Sequence, residues 1–390
     1  MLKSFLPILL LLCGLMIFGA GPAQATDRTI IRFATFNIAM GLKSEGDLYS
    51  RLISGEDEAL KKVAAVIQQV RPDVLLLNEF DQYELDSAVF FIKNYLDKPQ
   101  FESEPVSYAH ALNAAVNTGS DSGLDLNNNG VLGEPGDAWG FGRFPGQYGM
   151  MVLSRFPLKL ERSFRHFKWI DMPDALMPVN PDGTHWYPDE IRQQLRLSSK
   201  SHWDITLQIN DQPVHFLVSH PTPPVFDGPE DRNGTRNHDE IRFWADYVDP
   251  RRSAYIYDDT GVKGGLQLTA KFVIAGDLNA DPEDGDSTAG AIHQLLDHPM
   301  IDATCVPLSP GGEEANKAQA GKNLQHRGNP AADTGDFNDE YTGNMRIDYV
   351  LPSVTLRVAG CGVFWPAKDQ PGHDLTGVSD HHLVWLDIEM

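Results

Sequence analysis

Several polar residues stand where an apolar run of the chain ends or begins. Asn37 follows Phe36, Glu79 follows Leu-Leu-Leu-Asn, His220 follows Phe-Leu-Val-Ser, and Asp277 and Asn279 follow Val-Ile-Ala-Gly. Asp348 lies inside Arg-Ile-Asp-Tyr-Val, and Asp380-His381-His382 precedes Leu-Val-Trp. Carboxylate and amide oxygens of this kind suit a hard divalent cation, and an aspartate paired with a histidine suits proton transfer or charge stabilisation. Each has a bland explanation alone. A glutamate at a strand end is usually a solvated edge, a lone histidine is usually structural, and Gly-Asp-x-Asn is often only a turn. Their combination is what carries information.

The apolar runs that would position them alternate between strand and helix patterns. Residues 30–38 read as a strand of β-branched and aromatic residues. Residues 56–70 read as a helix, because Leu60, Val63, Ile67 and Val70 fall on one face, and Arg71-Pro72 ends it. Residues 73–79 are almost wholly apolar, as in a strand buried on both faces. Residues 148–154 are apolar again. Trp203, Ile205, Leu207 and Ile209 alternate at period 2, and the turn Asn210-Asp211-Gln212 leads into 214–219 as a hairpin. Residues 237–248 read as a helix with Asn237 as N-cap, Glu240 three residues on, and Ile241, Trp244 and Val248 on the core side. Strands at 272–276, 347–351 and 383–388 follow. No internal repeat and no Ser/Pro linker divides two cores, so residues 26–390 form one expected domain with insertions around 101–147 and 160–202. The first and last strands both carry polar signatures, so the chain ends are expected to meet. Two packed sheets with helices outside fit this alternation.

In this order the segments TFNI (35–38), LLLNEFD (75–81), YGMMVLSRFP (148–157), LVSHP (217–221), GDLNADP (276–282), RIDYVLP (346–352) and SDHHLVW (379–385) resemble the endonuclease/exonuclease/phosphatase superfamily. That group includes pancreatic-type deoxyribonucleases, abasic-site endonucleases, neutral sphingomyelinases and inositol polyphosphate phosphatases. The resemblance implies an α/β fold: a four-layer α/β sandwich of two packed, mainly antiparallel or mixed β-sheets flanked by helices, with the site at one end of the sheets. It implies Glu79 as principal ligand of Mg²⁺ or Mn²⁺, Asn37 beside it and Asp380 bordering the metal. It further implies His220 as a second histidine, Asp277 activating or orienting the attacking water, and Asn279 holding water and a phosphate oxygen. Asp348 would pair with His381, leaving His382 on the opposite strand face as a structural residue. Asn78 stands where the family usually has Gln, a conservative amide change.

Substrate is a separate question. Loops around 137–149, 196–205 and 220–244 bring Arg143, Arg196, Lys200 and His202, together with Arg155, near the expected site. From the same set Arg155, Arg232, Arg236 and His238 are the candidate phosphate-binding residues, helped by the helix N-terminus at Asn237; the alternative is loop packing and surface salt bridges. A second metal candidate is Asp125, Asn127 and Asn129 before Gly130, which match the first half of an EF-hand loop and could hold a structural Ca²⁺. Gly136 occupies the position of the expected bidentate Glu, with Asp137 one residue late and Glu134 two early.

Acidic residues number 54 against 32 basic ones, a formal charge of −22, which argues against an extended basic footprint for nucleic acid. At 42% hydrophobic and 22% charged residues, a mainly disordered chain is excluded. Lys3, the apolar run 5–18 and Ala23-Gln24-Ala25 read as an export signal over residues 1–25, with Thr26 expected near the mature start. The run is shorter than the roughly 20 apolar residues a bilayer span needs, so the exported protein is expected to be periplasmic or extracellular without a membrane anchor. Cys305 and Cys361 could pair in that compartment, or remain two small buried hydrophobes. The leading reading is a metal-dependent phosphodiesterase or nuclease acting on a phosphoester, with no obligate protein partner. A phosphomonoesterase or other small-molecule or lipid phosphoesterase is the alternative. An inactive binding module is the remote third; loss of Glu79, Asp277 or His381 would have signalled it, and all three are present.

Overall fold

The first and last strands of the chain pair with each other, antiparallel from Ile30 opposite Glu389 to Thr35 opposite Val384. The computed structural model describes residues 29–390, so the expected export signal and the start at Thr26 lie outside the described residues. In chain order the strands are β1 (Ile30–Met40), β2 (Val74–Phe80), β3 (His110–Leu112), β4 (Met150–Ser154), β5 (Leu158–Ser163), β6 (His202–Ile209), β7 (Gln212–Ser219), β8 (Phe272–Asp277), β9 (Gly335–Asp336), β10 (Asn344–Met345), β11 (Asp348–Pro352), β12 (Arg357–Val363) and β13 (Val384–Glu389). One sheet has the order β12-β13-β1-β2-β4-β3, a second β11-β8-β7-β6-β5, and β9 and β10 form a small ribbon. Among the paired strands of the described residues, only β1–β2 and β7–β8 run parallel. Each parallel pair needs a crossover, and the Glu58–Val70 and Arg232–Val248 helices supply them.

Alternation decides which side chains meet between the sheets. Trp203, Ile205, Leu207 and Ile209 of β6 join Phe33, Phe216, Val273 and Val384 in the middle layer. On the outer face of the six-stranded sheet, Leu60, Val63, Ile67 and Val70 of the first crossover helix pack on Ala34, Leu75 and Leu77. On the other outer face, Ile241, Trp244 and Val248 pack on Leu217 and Ile274. The result is the four-layer α/β sandwich. Removing each such aliphatic or aromatic side chain from water is worth roughly 1.5–3 kcal/mol.

Helix ends differ from expectation in an instructive way. Asp57 caps the first crossover helix by accepting the Leu60 amide at 2.9 Å, and Arg71 closes it in the left-handed region. The second begins at Arg232, five residues before the expected Asn237 cap. Its first turns, Arg-Asn-Gly-Thr-Arg, carry no apolar periodicity, so pattern alone places the start late. Asn237 is thus inside the helix and buried. β3 lies within the expected 101–147 insertion and β5 reaches into the one around 160–202. Cys305 and Cys361 form a disulfide joining the loop after Ile301 to β12.

Candidate active site

The site forms where the ends of β1, β2, β7, β8 and β11 converge. β8 and β11 pair antiparallel with Asp277 directly opposite Asp348. Asn37 of β1 pairs with Asn78 of β2, after which the register slips so that Met40 faces Phe80. This bulge puts two residues of β1 opposite Glu79 and turns the strand ends toward one another. Asn78 ties the two sheets together: its Oδ1 accepts the Thr35 hydroxyl at 3.0 Å and the Asp277 amide at 3.4 Å. Within its own sheet, Gly276 lets β8 lie close to the end of β7, since a Cβ there would lie 2.0 Å from the Ser219 carbonyl oxygen.

Asp277 is the hub. Its Oδ2 accepts Asn37 Nδ2 at 3.0 Å and faces His220 Nε2 at 3.3 Å and His381 Nε2 at 3.7 Å. Its Oδ1 accepts the Asn279 amide at 3.0 Å. His381 Nδ1 meets Asp348 Oδ2 at 2.9 Å, and the same oxygen accepts the Thr334 hydroxyl at 2.8 Å. Ser379 bonds both the Asn37 carbonyl and the His381 amide, and Phe337 stands edge-on to the His381 ring. Asn37, His220, Asp277, Asp348 and His381 are all buried, at no more than 6% exposure.

The electrostatics follow from that burial. Burial pushes the Asp277 carboxyl up, but His381 and His220 beside it outweigh this and hold it below the usual carboxylate range. Burial would pull His381 down; the charges of Asp348 and Asp277 push it up to about 10. Asp348 is raised by burial and pulled back by His381. This pair shares one proton, which stays on the imidazole between two carboxylates. His220 is the opposite case: burial first, then the Lys200 charge, pull it down, so it stands neutral. Among the described residues its Nδ1 has no hydrogen-bond partner.

Glu79 lies at the end of β2, half-buried, in the left-handed region at φ 56°. Ala39, Tyr148 and Asn279 around it share that conformation, and for non-glycine residues such strain concentrates at functional sites. Its carboxylate acts electrostatically on Asp81, Tyr148, Lys200 and His220, which places it beside the cluster. Asp380 stands exposed at the rim, its charge still acting on His381. Asn279 donates Nδ2 to the Pro221 carbonyl at 3.1 Å. His382 points away and stacks on Trp365 at 3.8 Å between ring centroids.

The expected phosphate-binding cations are not gathered here. β4 runs antiparallel to β2, so Arg155 lies at the far end of the sheet, paired with Asp73 at 2.9 Å. Arg232 pairs with Glu230 and covers Trp186. Arg236 is held by the carbonyls of Leu197, Trp139 and Arg196, and His238 pairs with Asp239 at 3.0 Å. The cation that does reach the cluster is Lys200, a buried side chain under the charges of Glu240, Glu79 and Asp277. Arg143 joins Tyr148 at the rim. Lys200 is among the loop cations expected near the site and Ser379 stands in the Ser-Asp-His-His motif, whereas Thr334 carries no periodic or motif signal. In the 125–137 loop, Asp125 accepts the amides of Asn129 and Gly130, Asn127 that of Asn129, Asn129 that of Val131, and Asp137 those of Leu126 and Glu134.

The chain belongs to the Endonuclease/Exonuclease/phosphatase family, whose sequence model matches residues 34–381. Members are phosphoester hydrolases that typically use divalent metals. Among curated proteins none is significantly similar in sequence. Similar solved structures include an endonuclease/exonuclease/phosphatase from Beutenbergia cavernae DSM 12333, at 18% identity and TM-score 0.47 over 93% of this chain and 72% of that one. A family protein from Leptotrichia buccalis C-1013-b matches at 16% identity and TM-score 0.47, over 92% and 100% of the two chains. Sphingomyelinase C from Streptomyces griseocarneus matches at 14% and 0.48, over 92% and 99%. Family membership rests on the sequence match, not on these distant likenesses.

Proposed function

We propose that the protein is an exported, divalent-metal-dependent hydrolase of phosphodiesters. The observation that carries this reading is the buried group Asp277, Asp348 and His381, whose ligand atoms all lie within 4.8 Å of one another, with Asn37 and Glu79 alongside. A protonated imidazole already supplies the cation between those two carboxylates. The metal ligands therefore fall to Glu79, which makes no hydrogen bond or ion pair among the described residues, and to the Asn37 amide oxygen. Hard oxygen donors of this kind fit Mg²⁺ or Mn²⁺. A cation held there supplies Lewis-acid polarisation of a phosphoryl oxygen.

The remaining chemistry belongs to the chain. Asp277, ionised and held by the Asn37 side-chain amide, the Asn279 backbone amide and His220 Nε2, is a weak base that orients an attacking water. His381 can donate Nε2–H to a phosphoryl or leaving oxygen as negative charge develops there, and Asp348 keeps its ring oriented and charged. Lys200 adds a second positive charge. With Arg155, Arg232 and Arg236 engaged elsewhere and Arg143 only at the rim, so few cations suit a singly charged diester better than a dianionic monoester. Export is supported by residues 1–25 and by the disulfide, which fits an oxidising compartment.

Initial rates on bis-p-nitrophenyl phosphate, p-nitrophenyl phosphate, plasmid DNA and sphingomyelin, with Mg²⁺ and with EDTA, test the reading. Mg²⁺-dependent cleavage of the diester exceeding that of the monoester is expected. Faster monoester turnover would reassign the substrate class, and no EDTA-sensitive hydrolysis of any of them would overturn the function.

A further inference from the structure

The Arg232–Val248 helix carries a buried polar face that the chemistry above does not use. Glu240 is fully buried, and its Oε1 accepts the Ser199 amide at 2.6 Å and the Ser199 hydroxyl at 3.0 Å. Its Oε2 accepts the Thr222 amide at 2.6 Å. Three residues earlier on the same helix face, Asn237 is equally buried and donates Nδ2 to the carbonyls of Thr222 at 2.8 Å and Leu278 at 3.0 Å. Each bonded backbone group adjoins the site in sequence. Ser199 precedes Lys200, Thr222 follows His220 and Pro221, and Leu278 lies between Asp277 and Asn279.

A carboxylate in this setting is costly to bury unless its oxygens are hydrogen-bonded. Those of Glu240 bond irregular loops that have no strand ladder to satisfy their amides. Because one carboxylate serves two loops, and one amide serves two more backbone groups, the loops cannot shift independently. We propose that Asn237 and Glu240 form a positioning clamp that sets His220, Lys200 and the Asp277–Asn279 turn relative to one another. The inference rests on the phosphoesterase reading for its consequence, though its geometry does not. The two residues that suggest a capping pair in sequence thus act sideways, into the site, rather than along the helix end.

The test is Glu240→Gln, which keeps the volume but replaces one accepting oxygen with an NH₂ that cannot accept an amide. The control is Tyr247→Phe, two turns along the same helix, which removes a 2.6 Å bond to Asp204 far from the site. Expected for Glu240→Gln is a kcat on bis-p-nitrophenyl phosphate lowered by up to about 10²-fold, the scale of a small misplacement. Unchanged apparent Mg²⁺ affinity and displaced His220 imidazole NMR signals should accompany it. Tyr247→Phe should lower Tm while leaving kcat and those signals alone. If Glu240→Gln does not fold, Asn237→Ala and Ser199→Ala should give the same pattern at smaller size. Folded Glu240→Gln with wild-type kcat and unmoved His220 signals would overturn the clamp, as would an equal kcat loss in Tyr247→Phe. If wild-type protein hydrolyses no phosphoester, the function falls instead, and the His220 signals still decide the clamp.

Discussion

His381 owes its charge to two carboxylates, and removing one has a definite consequence. Without the Asp348 charge, burial would dominate and pull the imidazole down from about 10. Asp348→Asn is therefore expected to lower kcat by about 10²-fold or more, as loss of a general acid does, and to move the alkaline limb of the rate–pH profile to lower pH. An unmoved limb would remove His381 from the charged role. At this scale the sequence was informative where residue type and strand end coincided, as for Asn37, Glu79, His220, Asp277, Asp348 and His381. It was misleading for Arg155, because a residue just past a strand lies at the site or opposite it according to that strand's direction. Periodicity does not contain the direction. Thr334 escaped notice, and Ser379 reads only as part of a motif, because a hydroxyl's partner depends on which loops meet.

Among the elements, the two crossover helices show where pattern suffices. The 3.6-residue spacing of Leu60, Val63, Ile67 and Val70 located the first helix, since the stripe is what its sheet buries. The second was placed late because its opening turns are polar, and its Asn237 and Glu240 look like a cap only while their partners are unseen. β12, with glycines at 360 and 362, has weak strand propensity and forms through pairing with β13. The disulfide fastens this edge strand to a segment 56 residues away. In the chain-entropy account, closing such a loop is worth about 4 kcal/mol. Cys361→Ser should lose stability of that order in urea denaturation, and reduction of the wild type should match it. A loss under 1 kcal/mol would place the bond outside the stability of the fold.

Acid stability belongs to the whole molecule, because buried histidines are held neutral in its interior, His202 and His382 as well as His220. Burial pulls His202 down to about 4 and His382 down to about 3, both from an ordinary value of 6.5. A depressed histidine is favoured neutral in the fold. Its contribution is intact above pH 6.5 and is lost as pH falls from there toward 3–4, where the unfolded chain takes up the proton first. Each should cost about 2 kcal/mol of stability between pH 7 and pH 5, and His382→Gln should recover about half of the combined loss. A pH-independent denaturation midpoint over that range would contradict both assignments. The central claim is that scattered strand ends make one metal-dependent site, and the Mg²⁺ dependence of bis-p-nitrophenyl phosphate hydrolysis by Glu79→Ala tests it most directly. A rate lower by about 10²–10³-fold, a raised Mg²⁺ requirement and an unchanged melting temperature are predicted; wild-type rate and Mg²⁺ dependence would contradict the account.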